Sequence, residues 1–336
     1  MLGKKKQRAK QREQKQKPKY NTWPMYILLI ALFVAYLFFQ SMPGLAIILG
    51  ALIFVIIIVI LVMELSLSVK QEGYKKNIFD VAIAIALVLI FWFGLQFALG
   101  TPNPLNVVPS CSMLPTLQRG DMILIQGINI NSVKAPIISV PTSTWNGTIS
   151  NFQSESLECV AYNITGNQFT ISQFLSKGYQ IGLFRSSNYG GQIVPNSAQS
   201  NNLIKYTCGA VNVKFSNGTV KQEASTTAIA IGNTTITGDA NNTVVVYQTV
   251  PNDLFYKEGD SYVVHRVYAV INASGKYYFL TKGDNNPGLD VQYFNYPANE
   301  SQISGKVIAD IPYMGYLKLI LSNSFVEPTG CNYTTE

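Results

Sequence analysis

Two serines and a histidine stand out in this sequence because their side chains could together perform acyl transfer. Ser110 and Ser112 lie in the segment Pro109–Leu117, which reads PSCSMLPTL. A serine hydroxyl is a weak nucleophile until a neighbouring base removes its proton. His265 is the only histidine in the 336 residues, and an imidazole accepts a proton near neutral pH. The competing interpretation of His265 is structural, because a single histidine in an apolar strand is usually a packed core residue.

Two aspartates could complete such a site. Asp284 lies in the segment Leu280–Asp290, which reads LTKGDNNPGLD, and Asp290 ends it. Its Gly, Asn and Pro residues predict a turn. A carboxylate beside an imidazole orients the ring and stabilises its protonated form. From the residues alone, either aspartate could contact His265.

The elements that must position these residues are predicted to be strands. Four short runs rich in Val, Ile, Tyr and Phe are separated by clusters of Gly, Asn, Asp and Pro, a pattern typical of strands and turns. The runs are Met122–Gln126, Val244–Tyr247, Tyr262–Ile271 and Tyr277–Thr281. His265 therefore falls on a predicted strand, and the two aspartates follow another one.

Three apolar runs precede this β-rich region. They are Trp23–Gln40, Leu45–Val69 and Ile78–Gly100. Each has about the length that a helix needs to cross a hydrocarbon core of ~30 Å. The sequence therefore predicts three transmembrane helices. A cleaved signal peptide is the alternative for the first run, but its basic region is too long and no small-residue cleavage site follows it.

Charge predicts the orientation of these helices. The first 20 residues carry nine Lys and Arg against Glu13, so the remaining chain has a net charge of about −1 within the total of +7. Positive charge marks cytoplasmic segments. The tail and the lysine-rich connection Lys70–Asn77 are therefore predicted inside, and everything after Gly100 outside. A nucleic-acid-binding arm is the alternative for the tail, but apolar runs follow it directly.

Sequons for N-glycosylation agree with this orientation. All eight lie beyond the third apolar run, at Asn146, Asn163, Asn217, Asn233, Asn241, Asn272, Asn299 and Asn332. The motif is short and arises often by chance in a chain rich in Asn, Ser and Thr. Its absence before Gly100 nevertheless favours an external location for the rest of the chain.

The segments around the candidate residues resemble the conserved boxes of one enzyme family. Ser-x-Ser-Met-x-Pro-Thr-Leu, followed by Gly120 and Asp121, resembles the nucleophile box of type I signal peptidases. Tyr262–Val267 (YVVHRV) resembles the histidine box of the archaeal and endoplasmic-reticulum branch, where the bacterial branch has lysine. Leu280–Asp290 resembles the acid box of that branch. Ile311–Tyr316 (IPYMGY) resembles the Pro-Tyr-x-Gly segment that follows it.

The resemblance implies a role for each candidate residue. Ser112 would attack the scissile carbonyl, His265 would act as the general base, and Asp290 would orient the imidazole. Asp284 would support the site structurally, and the hydroxyl of Ser110 would assist the oxyanion hole beside the backbone N–H of Ser112. No cofactor and no metal are implied. Cys111 is an alternative nucleophile.

The chain departs from the family pattern at several positions. Cys111 stands where Gly is usual, Leu114 where Glu is common, and Leu289 where the first of two paired aspartates is usual. The four cysteines have no metal-site spacing. In an oxidising space, Cys159 and Cys208 are the candidate disulfide pair.

The predicted fold is membrane-anchored and mainly β, with three N-terminal transmembrane helices and an external catalytic domain that carries a large β-rich insertion. The predicted division is a basic cytoplasmic tail (1–22), three helices (23–100), a catalytic domain in two segments (101–126 and 243–325), the insertion (127–242) and a C-terminal tail (326–336).

The predicted function is signal peptidase I, a serine endopeptidase that cleaves N-terminal signal peptides from exported precursors. Precursor proteins and membrane lipid are the predicted partners, the translocation machinery is a further candidate, and nucleic acid is not predicted. The predicted location is the cell membrane, multi-pass, with a cytoplasmic N-terminus and an extracellular catalytic domain. The three-helix anchor, the insertion rich in Asn, Ser and Thr and the many sequons favour a glycosylated peptidase of an archaeal cell surface. The alternatives are a peptidase with fewer substrates and a non-catalytic glycoprotein that binds partners through the insertion.

Overall fold

The computed structural model describes residues 22–40, 42–72, 74–152, 154–166, 168–187, 190–196, 199–200, 203–322, 324, 326–328 and 330–336. Residues 1–21, which make up nearly all of the basic tail that was predicted to be cytoplasmic, lie outside the described residues. The chain forms two compact units. The first comprises Met1–Leu95 and Pro312–Leu317, and the second comprises Gln96–Ile311 and Lys318–Glu336.

The N-terminal part of the chain folds into apolar helices. These are α1 (Trp23–Phe39), α2 (Pro43–Glu72) and α3 (Tyr74–Leu99). The segments Pro43–Glu64 of α2 and Val81–Leu99 of α3 are long and apolar enough to cross a membrane, whereas α1 is apolar but shorter. Its 17 residues give a helix of about 25 Å. The predicted connection Lys70–Asn77 is largely helical, because α2 ends at Glu72 and α3 begins at Tyr74.

A small apolar cluster lies within the first unit. Tyr36 of α1 and Leu49 of α2 are buried in it together with Tyr313. The hydroxyl of Tyr36 donates a hydrogen bond to the backbone carbonyl of Pro312. The Pro-Tyr-x-Gly segment therefore packs against α1 and α2.

The second unit is built on an eight-stranded sheet. Its strands are β1 (Leu105–Val107), β2 (Met122–Gln126), β3 (Ile137–Ser139), β12 (Val244–Gln248), β13 (Tyr262–Ala273), β14 (Lys276–Lys282), β15 (Ala298–Asn299) and β16 (Ile303–Ile311). The order across the described sheet is β1-β2-β16-β12-β13-β14-β15, and β3 pairs with β13 in parallel. All four runs predicted from the sequence are strands of this sheet, so this part of the prediction is confirmed.

Alternating burial explains how this sheet carries a core. In β2, Ile123 and Ile125 have no exposed surface, while the residues between them are partly exposed. Successive side chains of a strand point to opposite faces. The buried face of β2 packs against Met113, Leu117 and Val264. The segment that contains the two serines is therefore fixed to the sheet through apolar contacts.

Two smaller sheets are built from the region between β3 and β12 and one strand that follows β16. Their strands are β4 (Glu155–Thr165), β5 (Gln168–Ser172), β6 (Gln180–Ser187), β7 (Gly190–Val194), β8 (Gln199–Ser200), β9 (Ile204–Phe215), β10 (Val220–Ile231), β11 (Thr234–Thr237) and β17 (Tyr333–Thr335). A four-stranded sheet has the order β5-β4-β6-β7, and a five-stranded sheet has the order β11-β10-β9-β17, with β8 paired to β9. The prediction of a mainly β fold is confirmed.

The small sheets share one core with the eight-stranded sheet. Trp145 and Phe152 are buried in this core beside Tyr268 and Ile271 of β13. Trp145 lies on the helix α4 (Thr142–Ile149), and two more short helices follow later, α5 (Leu254–Lys257) and α6 (Tyr316–Leu321). Cys159 of β4 and Cys208 of β9 form a disulfide, which confirms the pairing predicted for them.

Candidate active site

The two serines lie in the serine loop, residues 108–121, which connects β1 to β2. Met113 is completely buried directly after Ser112, and Leu117 is buried four residues later. The backbone N–H of Leu117 donates to the carbonyl of Met113 at 2.9 Å. Asp121 closes the loop by accepting a hydrogen bond from the backbone N–H of Gln118 at 2.7 Å. These contacts explain why Met, Leu and Asp accompany the two serines in the sequence.

His265 lies in the middle of the sheet, on β13, and is paired with Val245 of β12. Only 3% of its surface is exposed. The ring of Phe255 approaches the imidazole edge-on, with 5.9 Å between the ring centroids. Central strands and an aromatic neighbour therefore hold the imidazole in one orientation.

The structure brings Ser112, His265 and Asp290 together. The Nε2 atom of His265 lies 3.0 Å from the Oγ of Ser112. Its Nδ1 atom lies 2.7 Å from Oδ2 of Asp290. In the neutral tautomer in which Nδ1 donates to the carboxylate, Nε2 is free to accept the hydrogen bond of the serine hydroxyl. The predicted contact between Asp290 and the histidine is confirmed, and Asp284 does not make it.

Asp290 is held in a buried polar environment. Its side chain is only 2% exposed. The hydroxyl of Tyr247 on β12 donates to its Oδ2 at 2.9 Å. Burial and the charge of Asp290 raise the pKa of Tyr247 well above its ordinary value, so this phenol remains a donor. Asn295 binds the backbone carbonyl of Asp290 at 3.1 Å, which fixes the loop behind the carboxylate.

Asp284 occupies a different position in the acid loop, residues 283–292. Arg266, the residue after the histidine, binds it in a bidentate manner, with distances of 2.8 Å from Nε to Oδ1 and 2.7 Å from Nη2 to Oδ2. Thr116 of the serine loop donates to Oδ2 of Asp284 at 2.6 Å. Asp284 therefore connects β13, the serine loop and the acid loop.

The backbone contact between the two loops requires glycine at position 283. A Cβ atom on Gly283 would lie 2.7 Å from the carbonyl oxygen of Ser112, which is too close for any side chain. The next residue but one, Asn285, donates its backbone N–H to the same carbonyl at 2.8 Å. The Gly-Asp-Asn motif is thus explained by its contacts with the serine loop.

A cavity of about 210 Å³ opens beside the serine. Its lining includes Ser110, Ser112, His265 and Val264. The Oγ of Ser110 lies 3.2 Å from the Oγ of Ser112. A hydroxyl at this place can donate to an oxygen that becomes negative when the Ser112 oxygen attacks a carbonyl bound in the cavity.

The alternative nucleophile Cys111 is excluded by its bonding. Its sulfur forms a disulfide with Cys331, so it is not a thiolate, the form in which cysteine attacks. Sequence reasoning missed this second disulfide. The sequence did offer a signal for it, because pairing Cys159 with Cys208 leaves two cysteines, Cys111 and Cys331, that can pair with each other. Sequence reasoning also missed the role of Tyr247. No sequence pattern distinguishes a strand tyrosine that binds a carboxylate from one that only packs in the core.

No protein-family model matches the chain, but parts of it are similar to curated proteins. Each of the following is named signal peptidase complex catalytic subunit SEC11. The protein of Colletotrichum graminicola is 38% identical over 63 residues, which are 18% of this chain and 37% of that protein. The protein of Verticillium alfalfae is 34% identical over 82 residues (24% and 44%). That of Tuber melanosporum is 28% identical over 111 residues (33% and 52%).

The chain thus spans about half the length, or less, of the curated relatives it matches. Several relatives carry the same printed name, and it is the name of the family that the serine, histidine and acid boxes resemble. The family resemblance seen in the sequence is therefore confirmed: parts of the chain are similar to signal peptidase complex catalytic subunits.

Proposed function

We propose that this chain is a membrane-anchored signal peptidase that cleaves signal peptides from exported precursors by a Ser–His–Asp mechanism. The observation that carries the proposal is the hydrogen-bonded line from Ser112 through His265 to Asp290, at the wall of an open cavity. Each of the two distances is in the range of a direct hydrogen bond. A buried acid, an oriented base and a hydroxyl within its reach are what nucleophilic catalysis by serine requires.

The proposed reaction proceeds in two stages. Nε2 of His265 takes the proton of Ser112 while its oxygen attacks the scissile carbonyl, and the hydroxyl of Ser110 and the backbone N–H of Ser112 donate to the oxyanion. The protonated imidazole then gives its proton to the leaving amine, which departs as the mature protein. In the second stage, His265 deprotonates a water molecule that attacks the acyl-enzyme. The signal peptide leaves with a new carboxylate, and Ser112 regains its proton.

Asp290 keeps its negative charge throughout the proposed cycle. It holds Nδ1 as the protonated nitrogen and stabilises the imidazolium that forms in each stage. The hydroxyl of Tyr247 shares the charge of the carboxylate. These steps use only protein groups and water.

The anchor belongs to the same proposal. We infer that α1, α2 and α3 cross the membrane, with the basic tail in the cytoplasm and the residues after Gly100 outside. Ser112 follows the end of α3 by about a dozen residues, so a cleavage site that emerges beyond the apolar part of a signal peptide is close in the chain to the attacking group. The division into a two-segment catalytic domain (101–126 and 243–325) and an insertion (127–242) is also proposed, as are precursor proteins, membrane lipid and the translocation machinery as partners.

The test is cleavage of a precursor with a small-x-small site by the purified full chain in lipid vesicles. Ser112→Ala is compared with Ser110→Ala, the same substitution two residues away. We expect Ser112→Ala to abolish cleavage and Ser110→Ala to lower kcat by about 10²–10³-fold, as for other oxyanion donors. If the wild-type chain cleaves nothing in a competent assay, the non-catalytic glycoprotein is favoured. If the Ser112→Ala chain is active, Ser112 is not the nucleophile.

A further inference from the structure

The segment 330–336 is attached to the serine loop by a covalent bond. Cys331 is joined to Cys111, the residue directly before Ser112, and the Cα atoms of the pair are 5.1 Å apart. The bond connects positions that are 220 residues apart in sequence. Cys111 is buried and Cys331 is half-buried, and the disulfide lies next to Ser112.

Asn285 makes a second connection between the same two segments. Its amide nitrogen shares its hydrogens among the carbonyls of Cys111, Gly330 and Tyr333, at 3.3, 3.1 and 3.0 Å. Its amide oxygen accepts the backbone N–H of Thr335 at 2.8 Å. With 4% of its surface exposed, this amide is saturated with partners. It fastens the serine loop and the segment 330–336 to the acid loop.

The other side of the segment is fixed to the five-stranded sheet. Tyr333–Thr335 form β17, which pairs with Val213–Phe215 of β9. The ring of Tyr333 packs against those of Phe174 and Phe215, with centroid distances of 6.3 and 5.6 Å. The segment is thus anchored on this sheet at one side and on the serine loop at the other.

We propose that the segment 330–336 is a strap that holds the serine loop in the position from which Ser112 attacks, with Cys331 and Asn285 as positioning residues. The kinetic part of this inference rests on the proposed peptidase function. We expect the strap to act mainly on the serine, because the acid loop, which Asn285 also connects to the strap, has further contacts of its own with the five-stranded sheet. The carbonyl of Pro287 accepts a hydrogen bond from the backbone N–H of Thr226 at 2.7 Å and another from the hydroxyl of Ser225 at 2.8 Å. Both donors lie on β10.

The strap therefore predicts a selective defect. Without it, the line from His265 to Asp290 stays intact while Ser112 drifts from Nε2. A displacement of about 1 Å at a reacting group can lower the rate by about 10²-fold. Since the cavity beside the serine is also lined by residues of the segment 255–265, which lies outside the serine loop, KM should change much less than kcat.

The experiment compares two disulfide variants of the full chain. Cys111→Ala/Cys331→Ala removes the bond of the strap, and Cys159→Ala/Cys208→Ala removes the other disulfide as a matched control. We expect the strap variant to lose about 10- to 100-fold in kcat with KM within about twofold, and the control to keep its kcat below its own melting temperature. Asn285→Ala should lower kcat in the same way and add little to the strap variant, because both act on one loop.

A second measurement does not depend on activity. His265 is the only histidine, so nitrogen-15 labelling of histidine gives NMR signals from this ring alone. In the strap variant, the chemical shift of Nε2 should change to that of a ring nitrogen without the hydrogen bond from the serine hydroxyl. The signal of the proton on Nδ1 should persist. Wild-type kcat in the strap variant, an unchanged Nε2 signal, or an equal loss in the control would overturn the inference. If the wild type cleaves no precursor, the proposed function fails and the Nε2 signal alone decides on the strap.

Discussion

Asp284 and Asp290 lie six residues apart in the acid loop, yet the two ends of this loop are different environments. At one end, Asp284 is 17% exposed and forms a bidentate ion pair with Arg266, which is itself 12% exposed. At the other end, Asp290 is 2% exposed and faces a histidine and a phenol. One carboxylate is paired with a permanent cation, and the other with an imidazole, a group that can be neutral or positive.

The difference teaches how one short motif can serve both stability and chemistry. An arginine beside a carboxylate stays charged at every physiological pH, so the pair around Asp284 can only hold segments together. An imidazole beside a carboxylate can be neutral or positive, and the acid stabilises the positive state. Substitutions at the two ends should therefore affect different quantities.

The largest effect is expected for Asp290→Asn. The amide can donate to Nδ1 and thereby favour the wrong tautomer of His265, in which Nε2 carries the proton and cannot accept that of Ser112. By analogy with the corresponding substitution in known Ser–His–Asp proteases, kcat should fall by about 10⁴-fold. Precursor cleavage under single-turnover conditions measures it, and a loss below tenfold would show that the acid has no such role.

Asp284→Asn should instead reduce stability. The substitution removes the charge that Arg266 binds, although Arg266 keeps its hydrogen bonds to the carbonyls of Ala240 and Asn242. We expect the free energy of unfolding to fall by about 1–3 kcal/mol, typical of a lost hydrogen bond to a charged group. Chemical denaturation in detergent measures this. If kcat fell as far as in Asp290→Asn, the two ends of the loop would not be distinct.

A smaller effect is expected for Tyr247→Phe, which keeps the ring and removes the hydroxyl that donates to Asp290. The carboxylate would then retain His265 as its side-chain donor. We expect kcat to fall about tenfold, which corresponds to ~1.4 kcal/mol, with little change in KM. Tyr206→Phe, which removes a buried phenol on β9, a strand that carries none of the three site residues, is a suitable control. An unchanged kcat in Tyr247→Phe would show that the phenol does not support the acid.

The smallest effect is expected for a substitution of Glu223 on β10, whose carboxylate lies in a third kind of environment. It has no exposed surface, and within the described part of the chain its Oε2 atom has no hydrogen-bond partner. Burial raises its pKa, while Gln173 and Lys282 lower it by smaller amounts. The charged form is therefore disfavoured in the folded state, and stability falls as the pH rises from the ordinary glutamate value through the folded-state pKa.

Glu223→Gln removes this titration. The difference in unfolding free energy between the variant and the wild type should therefore shift in favour of the variant between pH 4 and neutral pH. Equilibrium denaturation at several pH values measures the shift. A difference that is constant with pH would show that Glu223 is not penalised when it is charged.

Much of the eight-stranded sheet and its boxes could be predicted because the signals are local. The alternation in Met122–Gln126 and the apolar run of Tyr262–Ile271 define strands within a few residues. The motif that places His265 on β13 and Asp290 after β14 is equally local. The contact between them could be inferred from the family resemblance, since periodicity alone does not show which of two aspartates reaches the imidazole.

The remaining features depend on pairings between distant segments. The strands between Glu155 and Thr237 are recognisable by composition, but nothing local indicates which strands pair or that β17 joins β9. The role of Asn285 follows from the same long-range pairing, because its partners lie in the segment 330–336. The bounds of α1 agree with the predicted run to within one residue, whereas α2 and α3 begin or end several residues away from theirs. Apolar composition does not mark where a helix starts or ends.

The central claim is that Asp290 fixes His265 in the tautomer that can take the proton of Ser112. Nitrogen-15 NMR of histidine-labelled full chain tests it most directly, because every signal comes from His265. The account predicts a protonated Nδ1 and an unprotonated Nε2 at neutral pH in the wild type and in Ser112→Ala, and the opposite tautomer in Asp290→Asn. A protonated Nε2 in the neutral ring of the wild type, or the same tautomer in all three proteins, would contradict it.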